Sequence, residues 1–561
     1  MSKKIKFLVL LLLFSFVGTP CKAKQYPYRW VFVDNWLHKE SDVEDIKSIA
    51  NTASEHGLNG IVFWGGLDRL SLRPKSYLRR LEEVKQICEK HNLEIIPQVF
   101  SAGMGGSILS HNKNLAAGLP VNDALFVVEN GKAHLVPDHP VKIVNGGFEQ
   151  YYGNRFNGYS LHDKPGQVSF ADKELFNSGS ASLRFENFGK YRYGHARVMQ
   201  KVKVHPHRCY KLSCWFKTEN LKPGGSLKIQ VYSPDGRAIH KWTPAIPSTA
   251  DWQNITTGFN SLEYSEVKIY VGLQHGKSGK FWVDDLAIKE VGLLNVLRRP
   301  GTPVTVKSDE TGLVYEEGKD FATIKDTKLN FRFDHEPPAI KVLPTSRIKN
   351  GERLRVSYYH GMRTVKKWQA GVCMSEPEIY EIWAEQAKLI HKHLAPNKYM
   401  LSMDEIRTGG SCQACKNRNM TMAQILGDCI TRQVRIIREV NPKAEVFIWS
   451  DMLDPEHHAH EKYCLVEGSF TDSWKYIPKD LIMLCWYYKK RNESLRFFSS
   501  RGFRTMASAC CDRGTLDVAK GWLKALEHTP KSCGIMYTTW KSDYELLAPF
   551  GDIVAGQENQ K

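Results

Sequence analysis

Residues 29–100 read RWVFVDNWLHKESDVEDIKSIANTASEHGLNGIVFWGGLDRLSLRPKSYLRRLEEVKQICEKHNLEIIPQVF. Three short β-branched and aromatic runs, RWVFVDN, GIVFWGG and LEIIPQVF, alternate with charged stretches whose apolar residues recur at helical spacing. Strand, helix, strand, helix, strand is the opening of a parallel α/β fold, because parallel neighbours need a long crossover between them. The alternation returns after about residue 375. Helix-like SEPEIYEIWAEQAKLIHKHL leads into KYMLSMDEI, and MAQILGDCITRQVRIIREV leads into AEVFIWSD. The strands DLIMLCWYY, FRTMASAC and CGIMYTTW follow, separated by ESLRFFSSRG and DVAKGWLKALEHT. Three strands before the gap and five after it make eight, the number that closes a (β/α)8 TIM barrel.

Between the two halves the texture changes to short strands with Gly, Asn and Ser turns, which predicts an all-β jelly-roll sandwich inserted into the barrel. RLRVSYYH (353–360) would be a ninth barrel strand and is assigned outside it. The fold class expected is therefore α/β, a (β/α)8 barrel interrupted by the sandwich. Its divisions are a leader at 1–23, barrel at 24–140, sandwich at 141–292, a small β-rich connection at 293–360 and barrel again at 361–561.

Met1–Lys6 is basic, Phe7–Val17 is apolar, and Cys21-Lys22-Ala23 offers small residues for a signal peptidase, so a secretory signal is expected. That run is too short to span a bilayer comfortably, and no later stretch approaches the roughly 20 apolar residues of a membrane helix. The chain is read as exported, periplasmic, cell-surface or secreted, without stable membrane insertion; Pro20 argues against lipid attachment at Cys21. Of 13 cysteines, loss of Cys21 leaves an even number, and some disulfides are expected outside the cytosol. The formal charge of +18 falls by the four lysines of residues 1–23 (Lys3, Lys4, Lys6, Lys22) to +14. After export that charge does not point to nucleic acid. It suits an anionic glycan or cell-surface polymer, and equally a merely solubilising surface.

KYMLSMDEI (398–406) is an apolar strand ending in Asp404 and Glu405. Adjacent acids repel and push one pKa upward, as a general acid requires. Asp309-Glu310, in the polar stretch KSDETG, has no apolar run before it and reads as a solvated turn. Barrel active sites form at the C-terminal strand ends, which puts Asp404 and Glu405 at the mouth. Successive strand residues face opposite ways, so both acids share a pocket only if the strand ends or bulges there. Arg407-Thr-Gly-Gly makes an ending plausible, and Arg407 also offers a rim ion pair as a competing role. Other strand ends carry Trp36, Trp64, Trp449 with Asp451, Trp486 with Tyr487, and Trp540. Such walls suit pyranose rings, whose C–H faces stack on indole. His457, His458 and His460 are expected in a solvated loop. Cys412-x-x-Cys415 suits half a zinc site, a redox pair or a loop disulfide. A disulfide staple is the expectation, with no metal and no cofactor, and Cys209 with Cys214 is a second candidate bridge.

MDEIRTGGSCQACKNR (403–418), followed by a helix and VFIWSDM (446–452), resembles the catalytic region of glycoside hydrolase family 20, the β-N-acetylhexosaminidases. The likeness covers about 25–140 and 375–550, as a divergent member: Gln98, Phe100 and Met104 stand where the family commonly has acids and a His. It implies that Glu405 is the general acid/base and that Asp404 holds the N–H of the substrate's 2-acetamido group. The acetamido oxygen then attacks the anomeric carbon in place of an enzyme nucleophile. Trp449, Trp486 and Trp540 would line the ring subsite, with Tyr487 near the acetamido carbonyl. The insert, from VNGGFEQ (144–150) to FWVDDLAIKEV, looks like a galactose-binding-like carbohydrate-binding module. Its Tyr151, Tyr152, Tyr191, Tyr193 and Trp242 could stack on sugars, and a plain spacer role is equally open. The implied partner is a glycan or glycoconjugate substrate. A barrel glycosidase for another sugar and a catalytically silent glycan-binding protein remain as alternatives.

Overall fold

The computed structural model describes residues 26–241, 243–365 and 369–556. The expected leader, Cys21 and Trp242 lie outside them. Eight parallel strands form a closed barrel: β1 (Tyr28–Asp34), β2 (Gly60–Trp64), β3 (Glu94–Val99), β4 (Lys398–Leu401), β5 (Glu445–Trp449), β6 (Ile482–Cys485), β7 (Arg504–Cys510) and β8 (Ser532–Thr538). Each neighbours the next, and β8 closes on β1 with Met536 opposite Trp30. These are the eight runs recognised in the sequence.

The two-residue alternation sorts the strands' side chains. Trp30 and Phe32 of β1 join Val62, Ile96, Met400, Phe447, Ile482, Leu484 and Met506 in the interior. Val31 and Val33 face outward onto helices, in the same cluster as Ile46 and Ala50. Gly60 must lack a side chain, since a Cβ there would lie 2.7 Å from the Trp30 ring. The helices are α1 (Ser41–Glu55), α2 (Lys75–Lys90), α3 (Pro377–Leu394), a one-turn α4 (Gln413–Lys416), α5 (Met422–Val440), α6 (Arg491–Ser500), α7 (Asp517–Glu527) and α8 (Leu547–Ala555).

The strand-helix alternation departs from the regular (β/α)8 expectation at one crossover. Between β5 and β6 the chain makes only 3-10 turns, Asp451–Leu453 and Ser473–Tyr476, and the two-residue strand Leu465–Val466. That stretch contains Pro455, Gly468 and Pro478, which interrupt helices. Among the described residues no helix is long and apolar enough to cross a membrane.

The remaining strands are almost all antiparallel. One five-stranded sheet runs Ala250–Asn260, Cys209–Lys222, Ser278–Glu290, Ser182–Phe185, Ser169–Asp172, and a second runs Ala238–His240, Lys228–Tyr232, Glu266–Leu273, Ala196–Lys203, Leu161–His162. Their apolar residues, such as Leu212, Phe216, Phe281, Ile229 and Ile269, form one core. A six-stranded sheet combines Val314–Tyr315, Thr305–Ser308, Arg353–His360, Leu119–Glu129, Lys132–Leu135 and Ile340–Lys341. RLRVSYYH thus pairs with Leu119–Glu129 and not with the barrel, and residues 119–135 join that sheet as well. Arg237 of the sandwich donates to the backbone oxygens of Cys464 and Val466 in the β5–β6 crossover.

Candidate active site

β4 ends at Leu401, and Ser402 N–H still reaches Val99 O at 2.8 Å. Glu405 then adopts φ +49, in the left-handed region that side chains rarely enter. This turn breaks the strand's alternation at the two successive acids. Asp451, fully buried just beyond β5, accepts the Glu405 N–H on Oδ2 at 2.9 Å. From the other side the loop after β3 packs directly on this backbone: a Cβ on Gly103 would lie 2.0 Å from Asp404 O. Buried Asp68 holds that loop, accepting from Phe100 N–H at 2.6 Å and Ser101 N–H at 3.0 Å.

The acids differ in their partners. Asp404 accepts from Ser402 Oγ at 3.1 Å, and Gln98 Nε2 donates to the same hydroxyl at 3.1 Å. Burial, together with the charges of Asp451 and Glu405, pushes the Asp404 carboxyl up to about 7. Glu405 sits in a two-pronged ion pair with Arg407 (2.7 and 3.0 Å) and accepts from Gln369 Nε2 at 2.9 Å. Arg407 therefore does form the ion pair that the sequence offered as its competing role. Burial alone would raise Asp451, but His458 Nδ1 at 2.9 Å and the other groups around it hold its carboxyl below the usual range.

Aromatic residues converge on these acids. Trp449 lies 6.4 Å from Trp486 and 6.2 Å from Trp540, ring centre to ring centre. Phe32 of β1 lies 6.3 Å from Trp64 and 5.4 Å from Trp540. Trp486 Nε1 points at Asp451 Oδ1 from 3.4 Å. Trp449 is buried, whereas Trp540 is 49% exposed at the rim. The structure thus brings Asp404, Glu405, Asp451, Trp64, Trp449, Trp486 and Trp540 to one end of the barrel. Tyr487 joins through His457, stacked on it at 4.5 Å.

Three expectations need correction. His457 and His458 are not in a solvated loop; His457 packs between Trp486 and Tyr487 and burial lowers it to about 4, while His458 pairs with Asp451. His460 alone is exposed. Cys412 and Cys415 are not joined, with Sγ atoms 3.7 Å apart, and Cys373 lies 3.4 Å from Cys412. Cys209 and Cys214 are likewise free, and every cysteine among the described residues is unpaired. Cys209 and Cys214 lie on one strand, where extended backbone separates residues five apart too widely for a bridge.

Gln369 and Asp68 escaped the sequence reading. Gln369 lies in an irregular stretch with no periodic signal. Asp68 carried one faint signal, an acid two residues after the Gly65-Gly66 pair that follows β2.

On the sandwich, Tyr152 (89% exposed) and Tyr193 (54%) stand out from the surface. Lys164 lies over Tyr191, and Arg192 beside Tyr193.

No family model and no curated protein matches the chain. Among solved structures, a rhamnosidase from Novosphingobium sp. PP1Y is similar over 95% of this chain and 59% of its own, at 9% identity and a TM-score of 0.33. A β-N-acetylhexosaminidase from Bacteroides fragilis NCTC 9343 is similar over 35% of this chain and 42% of its own, at 12% identity and a TM-score of 0.24. TmCBM61, solved with β-1,4-galactotriose, covers 27% of this chain and 99% of its own, at 16% identity and a TM-score of 0.22. These likenesses are weak.

Proposed function

We propose that the chain is an exported glycoside hydrolase that removes N-acetylhexosamine from glycans with retention, by substrate assistance. What supports this reading is the pair of consecutive carboxylates, Asp404 and Glu405, at the barrel end where Trp449, Trp486 and Trp540 gather. A conventional glycosidase needs carboxyl groups on opposite sides of the scissile bond, about 5–9.5 Å apart. Consecutive residues on one turn approach from one side, which suits a reaction whose nucleophile belongs to the substrate.

In this reading Glu405 gives its proton to the glycosidic oxygen as the C1–O bond breaks. The acetamido oxygen forms the new bond to C1, and Asp404 accepts the acetamido N–H. Glu405 then takes a proton from the water that opens the cyclic intermediate. Trp64, Trp449, Trp486 and Trp540 stack on the sugar, Asp451 keeps the Glu405 backbone in place, and Tyr487 meets the acetamido carbonyl. No cofactor enters this scheme. The barrel is taken as a (β/α)8 barrel lacking one helix. Its segments 24–118 and 361–561 carry the chemistry, 141–292 serves as a carbohydrate-binding module, and 293–360 connects them together with the strands at 119–135.

One observation favours a second reading. Arg407 engages both oxygens of Glu405, while Asp404 is raised to about 7. Asp404 would then be the proton donor, on a sugar without the acetamido group.

Chromogenic β-N-acetylglucosaminides and β-N-acetylgalactosaminides, each beside its 2-hydroxyl counterpart, separate these readings. The acetamido substrates alone should be hydrolysed. Turnover confined to the 2-hydroxyl compounds would replace the first reading by the second, and glycan binding without any turnover would leave a silent binder.

A further inference from the structure

Seven residues beyond Glu405 the chain enters α4, and Cys412 and Cys415 bracket its first turn. Cys373 reaches them from the segment before α3. The three Sγ atoms are 3.4, 3.7 and 3.7 Å apart, and all three residues are buried. A disulfide would put two of them about 2.05 Å apart. Four thiolate-type ligands about 2.3 Å from a tetrahedral zinc lie about 3.8 Å from one another, close to the spacing seen here. Among the described residues, these are the ones whose ligand atoms could surround a metal ion.

A buried cation stands beside the sulfurs. Arg299 Nη2 is 3.6 Å from Cys412 Sγ, on a guanidinium that is almost wholly buried and fixed by Glu376 at 2.7 Å and Asn114 O at 2.7 Å. A positive charge there would offset part of the negative charge that thiolates on a bound metal carry. The group of possible ligands among the described residues has three members, so the fourth tetrahedral position would fall to a ligand from outside it. Three soft sulfur donors select zinc over calcium or magnesium, which take oxygen shells.

We infer that Cys373, Cys412 and Cys415 bind one zinc ion in a structural site behind the Asp404-Glu405 turn. Gln369 lies four residues before Cys373 and Arg407 five before Cys412, and both hold the Glu405 carboxylate. A metal joining the two segments fixes both partners of that acid at once. The ion touches no residue placed in the mouth, so its role is to hold the loops.

Elemental analysis of the untagged full chain, purified without chelators, should find about one zinc per chain. Cys412→Ser and Cys415→Ser should each lose it, while Cys88→Ser and Cys429→Ser, buried cysteines elsewhere, should keep it. Replacement by cobalt should produce thiolate-to-cobalt charge-transfer absorption. The wild-type measurement decides alone if the serine variants fail to fold. A wild-type chain without stoichiometric metal after zinc reconstitution overturns the site, as does a Cys412–Cys415 disulfide in non-reducing peptide maps. Neither result touches the hexosaminidase reading, which the glycoside panel tests separately.

Discussion

Asp451 Oδ2 accepts the backbone N–H of Glu405 at 2.9 Å and so ties the end of β5 to the turn after β4. Glu405 at φ +49 is strained by about 1–2 kcal/mol. A buried carboxylate pointed at its N–H offsets that strain, and His458 Nδ1 meets the same oxygen at 2.9 Å. A third acid, 46 residues away, thus holds the peptide between the two neighbouring acids.

Removing that support should show in kcat. Asp451→Ala frees the Glu405 N–H and leaves His458 without its carboxylate partner, so kcat is expected to fall about 100-fold, the scale of an ångström's misplacement. Asp451→Asn, which keeps an acceptor oxygen, should fall less. Equal, near-wild-type kcat in both variants would reduce Asp451 to packing.

Under the proposed function, Asp404 is expected to set the pH dependence. Its carboxyl is raised to about 7, so it is neutral below that pH and ionised above it. An N–H of the substrate needs the ionised form as acceptor, and activity should therefore rise as pH passes upward through about 7. A decline through the same range would make Asp404 the proton donor. Stability runs the opposite way. A carboxyl that holds its proton more tightly when folded than at its ordinary value of 3.8 stabilises the fold fully at low pH. That contribution is lost as pH rises from about 4 to about 7. Asp404→Asn should accordingly melt at a higher temperature than wild type above pH 7.

The eight barrel strands were legible because each is a short apolar run between turn residues, a pattern that needs no long-range information. The missing helix between β5 and β6 was legible by omission, since residues 450–481 carry no helical period. The mouth was half legible. Asp404, Glu405, Asp451 and the tryptophans stand at strand ends, where topology alone brings them together. Gln369, Asp68 and Cys373 come from irregular segments whose positions follow from packing across the fold, and a one-dimensional pattern holds no trace of that. The histidines were misread for the same reason: polar residues in a Pro-containing stretch look solvated until Trp486 and Tyr487 are seen against them.

Gly103→Ala tests the close approach beneath the acids. The new Cβ would meet Asp404 O at 2.0 Å and Glu405 C at 2.8 Å, both backbone atoms that cannot swing aside. A loss of about 1–3 kcal/mol is expected, the usual cost of overpacking, together with a fall in kcat. Gly147→Ala, whose nearest neighbour lies 3.7 Å away, should leave the melting temperature nearly unchanged. Similar melting temperatures for the two variants would contradict the tight packing of that loop.

Charge offers a separate test of substrate class. If the basic surface of the chain (+18 formally) attracts an anionic glycan, kcat/KM for a sulfated substrate should exceed that of its desulfated form at low salt and lose the advantage at high salt. Equal rates under all four conditions would leave the charge as a solubilising feature only.

Glu405→Gln bears most directly on the chemistry. The amide preserves shape and can still bond Arg407 or Gln369 through its oxygen, but it has no proton to give a leaving oxygen. Loss of a general acid costs about 100- to 10,000-fold, and the loss should depend on the aglycone. A nitrophenolate leaves without a proton, so its release should fall least, whereas an alkyl or sugar leaving group should suffer the full loss. Glycan binding by the variant should persist, because the aromatic walls remain. A uniform fall across leaving groups would mean that Glu405 acts through Arg407 on the shape of the mouth and that the proton comes from Asp404.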